Sequence, residues 1–257
     1  MSVSLQVMRR VVELLEQGRV FALCTVVTAR GSVPGKPGTK MIVFPDGGQE
    51  GTVGGAGLEE KTKALARTCL TEARGGIFRF ELAASRPGGL DSLCGGAVEI
   101  VIEVMKGPPH VLICGGGHVG LAVARSCAEL DYRHSVLDDR AAFALPERFP
   151  AATHLFVARP EEFFPSADLT PFSHVLLLGY SYHIDIDILE ACLARFPGWI
   201  GVISSKKKRR EMFARVRARG ASDEALARVE APVGLDIGSE TPAEIAVSIL
   251  GSIIRHH

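Results

Sequence analysis

Gly115-Gly116-Gly117-His118-Val119-Gly120 fits the pattern G-x-G-x-x-G. The segment follows an apolar run, Val111 to Cys114, and precedes an amphipathic one, Val119 to Leu130. In that context glycines can serve phosphate binding. Gly115 permits a tight turn, Gly117 lets the backbone approach a diphosphate, and Gly120 lets helix and sheet pack closely. The free amides at the helix start then favour a phosphate anion. Asp138 ends the next apolar run, about 20 residues on, where a carboxylate accepts from a ribose diol. The expected ligand-binding set is therefore Gly115, Gly116, Gly117, His118, Gly120 and Asp138. The plainer reading is an ordinary tight turn of an α/β fold.

Three further features carry possible chemistry. Cys94 lies in Ser92-Leu93-Cys94-Gly95-Gly96, and backbone N–H groups of a glycine turn stabilise a thiolate. That suits sulfur handling or a metal contact, although an inert core cysteine is the commoner fate of a lone thiol. His183 follows an apolar run in Gly179-Tyr180-Ser181-Tyr182-His183, at the sheet edge where ligands gather. It is a candidate general acid/base or ligand, and equally a loop hydrogen-bonder. Asp185 or Asp187 reads as the cap of the helix after it. Ser204-Ser205 followed by Lys206 to Arg210 is the one concentrated basic run. It suits a phosphate or an acidic partner, or is simply a solvated helix face.

These residues need elements to position them. Val3, Val7, Val11, Leu14 and Leu15 share one helical face, closed by Gly18. Val20 to Thr28 reads as a strand, Ala29 to Lys40 as a loop and Met41 to Phe44 as a strand. Asp46-Gly47-Gly48 is a turn. Gly51 to Gly57 is a glycine-rich loop before a helix over Leu58 to Arg74. Ile77 to Leu82 and Ala97 to Met105 are strands. Glycine loops at Gly31 to Gly38, Gly51 to Gly57 and around Gly95 would expose bare amides to a polar anion. Tight turns of a β-rich domain are the dull alternative.

Gly107-Pro108-Pro109 interrupts regular structure and places a domain boundary, giving 1–106 and 107–257. Beyond it strand and helix alternate. Ser135 to Leu137, His154 to Ala158, Val175 to Leu178 and Trp199 to Ile203 read as strands. Asp187 to Arg195 and Lys206 to Arg219 read as helices. Thr241-Pro242-Ala243-Glu244 is a capping box opening the last helix. The fold class is α/β: a C-terminal Rossmann-like parallel sheet with helices on both faces, preceded by a smaller α/β domain.

Composition narrows the function. Lys+Arg and Asp+Glu are both 29, and a net charge of zero argues against general nucleic-acid binding. No apolar run approaches the roughly 20 residues that span a bilayer. The first 18 residues lack a signal peptide's apolar stretch, so the expected location is cytoplasmic. Six cysteines (Cys24, Cys69, Cys94, Cys114, Cys127, Cys192) show no metal-ligand spacing and read as free thiols.

Taken together, the motifs resemble those of the XdhC/CoxI accessory proteins of molybdenum hydroxylases, along nearly the whole chain. Arg30-Gly31-Ser32-Val33-Pro34 through Gly38-Thr39-Lys40-Met41 is similar to that family's RGSxPRxxGxxM segment. Gly51-Thr52-Val53-Gly54-Gly55 through Glu59 is similar to its GTxGGGxxE segment, and Cys94-Gly95-Gly96 to its CGG element. The glycine loop at Gly115 to Gly120 and the ending Ala231 to Ala246 complete the likeness. Gly35 stands where the family pattern has Arg, Ala56-Gly57 where it often has Gly-His or a Cys, and Ser204 where it has Gly.

The resemblance implies a maturation factor: a carrier more than a catalyst. It would bind molybdenum cofactor (molybdopterin), assist its sulfuration and deliver it to a hydroxylase such as xanthine dehydrogenase. Cys94 would lie near the molybdenum, with Gly95 beside the cofactor. The implied partners are an apo molybdenum hydroxylase and a cysteine desulfurase, and the expected assembly is a homodimer. Two other uses of the same loop stay open. One is an NAD(P)-dependent oxidoreductase with His183 as proton donor, Asp138-Asp139 favouring NAD and Arg140 complicating that choice. The other is a non-catalytic module that senses a nucleotide.

Overall fold

The computed structural model of the chain describes residues 3–81, 96–179 and 181–257. The chain divides into two compact units, Met1–Gly107 and Pro108–His257.

The first unit runs α1 (Val3–Glu16), β1 (Val20–Gly31), β2 (Lys40–Val43), β3 (Gln49–Gly51), α2 (Ala56–Glu72), β4 (Gly76–Glu81) and β5 (Gly96–Lys106). Its sheet has the order β3-β2-β1-β5-β4 with every neighbouring pair antiparallel. Successive side chains of a strand point to opposite faces. Phe21 and Leu23 of β1 therefore pack with Val7, Val11 and Leu14 of α1. Ala22, Cys24 and Val26 pack with Leu58, Ala66 and Cys69 of α2. Covering both faces explains why β1 begins as an unbroken apolar run.

Two features differ from the sequence expectation. β1 continues through Ala29 and Arg30 to Gly31, which pairs with Gly96. Thr28, Arg30 and Gly31 are exposed, so no apolar alternation marks them, and the backbone ladder to β5 holds them past a register shift at Val27. β3 replaces what reads as turn and loop. Its three residues form a short edge strand against β2.

The second unit runs β6 (His110–Cys114), α3 (His118–Glu129), β7 (Arg133–Asp138), β8 (His154–Val157), α4 (Pro160–Ser166), β9 (His174–Leu177), α5 (Tyr182–Arg195), β10 (Trp199–Val202), α6 (Lys206–Ala218), α7 (Asp223–Ala227), β11 (Val229–Glu230) and α8 (Pro242–His256). The strands lie in the order β11-β10-β9-β6-β7-β8, all parallel. Numbered within this unit, that is the doubly wound order 3-2-1-4-5-6. One face of β6 and β9 (Leu112, Cys114, Val175, Leu177) packs on Phe164 of α4, Ile188 and Leu189 of α5 and Met212 of α6. The other (Val111, Ile113, Leu176) packs on Val123 and Cys127 of α3 and Ile249 and Ile253 of α8. Each such fully buried aliphatic side chain contributes roughly 1.5–3 kcal/mol. The helix start at Thr241 is the expected capping box, with Glu244 answering the Thr241 side chain.

At the amino-terminal edge of this sheet, three neighbouring strands each bury a histidine: His110, His134 and His174. His110 Nε2 lies 3.0 Å from Ser135 Oγ, and Ser173 Oγ lies 2.8 Å from His174 Nδ1. Burial lowers the pKa of His110 and of His174 to about 4, and lowers that of His134 as well. Among the described residues no helix is long and apolar enough to cross a membrane.

Candidate functional site

The loop Gly115–Gly120 leaves the carboxyl end of β6, between β7 and β9. Connections diverge there, and the crevice they leave is where such sheets bind ligands. Gly115 has φ +114°, a backbone that L side chains rarely adopt. A Cβ on Gly116 would sit 2.0 Å from the Phe143 carbonyl oxygen, and one on Gly120 would sit 1.9 Å from that of Gly115. Those glycines are required by packing. Gly117 differs: it caps α3 with φ −66°, and nothing lies within 4 Å of where its Cβ would be. α3 has no side-chain cap, so the amides of its first turn lack an acceptor within the helix. His118, the first residue of α3, is exposed beside them. The loop thus offers open space and unused donors at a helix start, which is the chemistry of an anion site.

Asp138 does something other than wait for a ribose. Its side chain is fully buried at the end of β7. One oxygen accepts from the Gly116 N–H at 2.8 Å and from the Arg140 guanidinium at 2.9 Å. The other accepts from the Arg140 N–H at 3.0 Å and from Arg140 Nε at 2.9 Å. A carboxylate has about four acceptor positions, and all are taken. Burial alone would raise the Asp138 pKa, but the bonds from Arg140 and Gly116 outweigh it and hold it below the usual carboxylate range. Arg140 also stacks over Phe143 at 3.9 Å, and Arg148 donates to the Gly116 carbonyl at 3.0 Å. Gly116 is therefore gripped at both its N–H and its C=O. Asp138 and Arg148 aim the loop, and a ribose diol would have to displace Arg140. In the sequence Arg140 is visible only as a complication in cofactor choice. Arg148 and the 3-10 turn at Ala141–Phe143 give no signal there.

The other predicted residues are dispersed. Cys94 and Gly95 lie outside the described residues. His183 is not in a loop: α5 begins five residues earlier than expected, with Ser181 as its cap accepting from the Ile184 N–H. His183 is exposed in the first turn, its ring 5.4 Å from that of Tyr182. Asp185 is not a cap either; it is buried and paired with Lys208 Nζ at 2.6 Å. Cys24, Cys69, Cys114, Cys127 and Cys192 are free and buried. Burial pushes the thiols of Cys24, Cys127 and Cys192 up to about 12 and raises those of Cys69 and Cys114. Thiols so placed stay protonated and inert. Among the described residues no group of three His, Cys, Asp or Glu is arranged to hold a metal.

In the first unit, two of the glycine loops pack on each other. A Cβ on Gly35 would meet the Val53 carbonyl oxygen at 2.2 Å, and one on Gly54 would meet the Gly35 nitrogen at 3.1 Å. Close packing therefore accounts for the small residue at position 35. Thr52 hydrogen-bonds the Glu59 carboxylate, and Gln49 Nε2 donates to it at 3.2 Å. Glu59, in the first turn of α2, thereby anchors the second loop.

Comparison with known proteins adds to this geometry. The family model described as the XdhC Rossmann domain matches residues 111–253, and that described as the XdhC and CoxI family matches residues 14–81. The uncharacterized protein YqeB of Escherichia coli strain K12 is 34% identical over 95% of this chain and 44% of its own length. A Bacillus subtilis strain 168 protein described as a probable xanthine dehydrogenase subunit is 25% identical over 60% of this chain and 44% of its own length. The matches thus span less than half of those curated relatives. The crystal structure of a Bacillus halodurans protein described as a xanthine dehydrogenase aligns over 99% of this chain and 95% of that one. Its TM-score is 0.52 at 19% identity, a likeness of fold.

Proposed function

The chain belongs to the XdhC and CoxI family, and from that premise we propose that it is an accessory protein of molybdenum hydroxylases. It binds molybdenum cofactor, supports sulfuration of that cofactor and inserts it into an apo-hydroxylase such as xanthine dehydrogenase. The observation that carries the reading is the match of both family models along one chain. The cofactor is cargo, and its phosphate suits the described residues: the unused amides at the start of α3 and the open space at Gly117. The five described thiols are buried and protonated, so sulfur handling falls to Cys94. On this reading the protein is a cytoplasmic homodimeric carrier. Its partners are the apo-hydroxylase and a cysteine desulfurase.

An NAD(P)-dependent oxidoreductase or a nucleotide-sensing module would use the same loop differently. NAD binding needs the Asp138 carboxylate for a ribose diol, and Arg140 and Gly116 already hold that carboxylate. The test is anaerobic titration of the protein with free molybdenum cofactor, with NADH titrated in parallel. Near-stoichiometric cofactor binding without NADH binding is expected. NADH binding without cofactor binding would overturn the carrier reading. Full cofactor binding and full activation of the client hydroxylase by Cys94→Ser would remove Cys94 from it.

A further inference from the structure

The first turn and a half of α6 breaks two helix rules at once. Lys206, Lys207, Arg209 and Arg210 crowd its amino end, and its first turn holds no acid. The helix dipole disfavours cations there. Lys206 is three and four residues from Arg209 and Arg210, and Lys207 is three from Arg210, spacings at which like charges repel. The fifth cation of the run has a structural task, since Lys208 neutralises buried Asp185. None of the other four has an acidic partner among the described residues.

Those four exposed side chains, with Pro232, line a half-open cavity of about 490 Å³ whose wall is mainly their apolar stems, with the charged heads at its rim. Arg209 is held over the Phe213 ring at 5.1 Å. The cavity lies at the carboxyl ends of β10 and β11, where Val233 N–H bonds the Val202 carbonyl. That is the ligand-binding edge of a parallel sheet. β9 separates this place from β6 and its glycine loop. Ser204 Oγ, just before the cap of α6, is buried with no hydrogen-bond partner. Stretches that contradict local rules are expected at functional or strained sites.

We propose that this cavity is a second anion site, built for the diphosphate group of a small ligand. The cations span five helical residues, four rises of about 1.5 Å or about 6 Å along the axis. That length matches two linked phosphates rather than an extended acidic peptide. A single phosphate would leave much of the positive charge unanswered. The proposal is independent of the carrier role.

The test is calorimetric titration of the full chain with inorganic pyrophosphate at about 0.15 M salt, where long-range attraction is largely screened. One saturable site is expected, weakened at least tenfold in Lys206→Ala/Arg210→Ala. Arg9→Ala/Arg19→Ala, which removes two cations from the other unit, should bind as the parent does. The Lys206→Ala/Arg210→Ala variant should melt above the parent without ligand, since repulsion is relieved, and pyrophosphate should raise the Tm of the parent alone. Absence of saturable binding would overturn the proposal, as would equal losses in both double variants. So would an equal loss in Gly117→Ala, which would put the ligand on the glycine loop. Binding of polyglutamate but not pyrophosphate would make the surface a protein-docking face and also overturn it.

Discussion

Acid should unfold the second unit in a window set by its buried histidines. His110 and His174 are 1% and 3% exposed. Burial lowers each to about 4, helped by Arg133 and His154 for His110 and by His257 and His256 for His174. The folded values lie below the ordinary 6.5, so the unfolded chain takes up protons first as pH falls. The stability these groups contribute is therefore complete above pH 6.5 and is lost progressively toward pH 4. At pH 5 each costs about 2 kcal/mol, and the two together about 4 kcal/mol. His134 acts in the same direction. The depressed carboxyls of Asp138 and Glu230 begin to lose their contribution only as pH falls through the ordinary carboxylate range, below the pH 5 of this comparison. Trp199, the sole tryptophan, lies 5.5 Å from the rings of His174 and His256, so its fluorescence reports on this unit alone. With a urea dependence of about 1–3 kcal/mol per molar, the midpoint at pH 5 should fall by roughly 1.5–4 M from its value at pH 7.5. His110→Asn/His174→Asn should flatten that dependence. Equal midpoints at the two pH values, or an unchanged pH profile in the double variant, would refute the reasoning.

Other outcomes follow from the loop. Arg140→Ala leaves the buried Asp138 carboxylate with backbone donors only; denaturation should show a loss of roughly 1–3 kcal/mol, and NADH titration should show affinity that the parent lacks. Gly120→Ala drives a Cβ into the Gly115 carbonyl oxygen and should destabilise by roughly 3 kcal/mol or more, or prevent folding. Gly117→Ala meets open space; its Tm should match the parent's while cofactor affinity, measured by anaerobic titration, falls at least tenfold. Thr241→Ala removes the capping box and should lower stability by about 1 kcal/mol in urea denaturation.

Much of this is legible in the residues, for physical reasons. The central strands β6, β9 and β10 are short apolar runs because both faces are buried, and the capping box at Thr241 is a purely local signal. The glycine loop can be read because its neighbours on either side announce a strand and a helix. What escapes is short or long-range. α4 holds seven residues with a proline inside, and β11 only two, too few for any periodicity. The start of α5 is hidden because Asp185 looks like a cap until Lys208, 23 residues on, is seen beside it. The closure over Asp138 depends on a turn that brings Arg140 and Phe143 back over the loop, which spacing alone does not encode. Cys94 rests on the sequence and on family membership.

The pairing of α3 with α8 has a consequence for synthesis. The apolar stripe of α3, with Val123, Ala124 and Cys127, is covered by Ala246, Ile249, Leu250 and Ile253. More than a hundred residues separate the two helices in the chain. At roughly 5–20 residues per second on a ribosome, the part of that stripe that α8 covers waits about 6 to 25 seconds for its partner, held meanwhile only by the sheet. During that interval the nascent chain presents β6, the glycine loop and a helix covered on its sheet side alone. The second unit thus closes its core only when the last helix of the chain has been made.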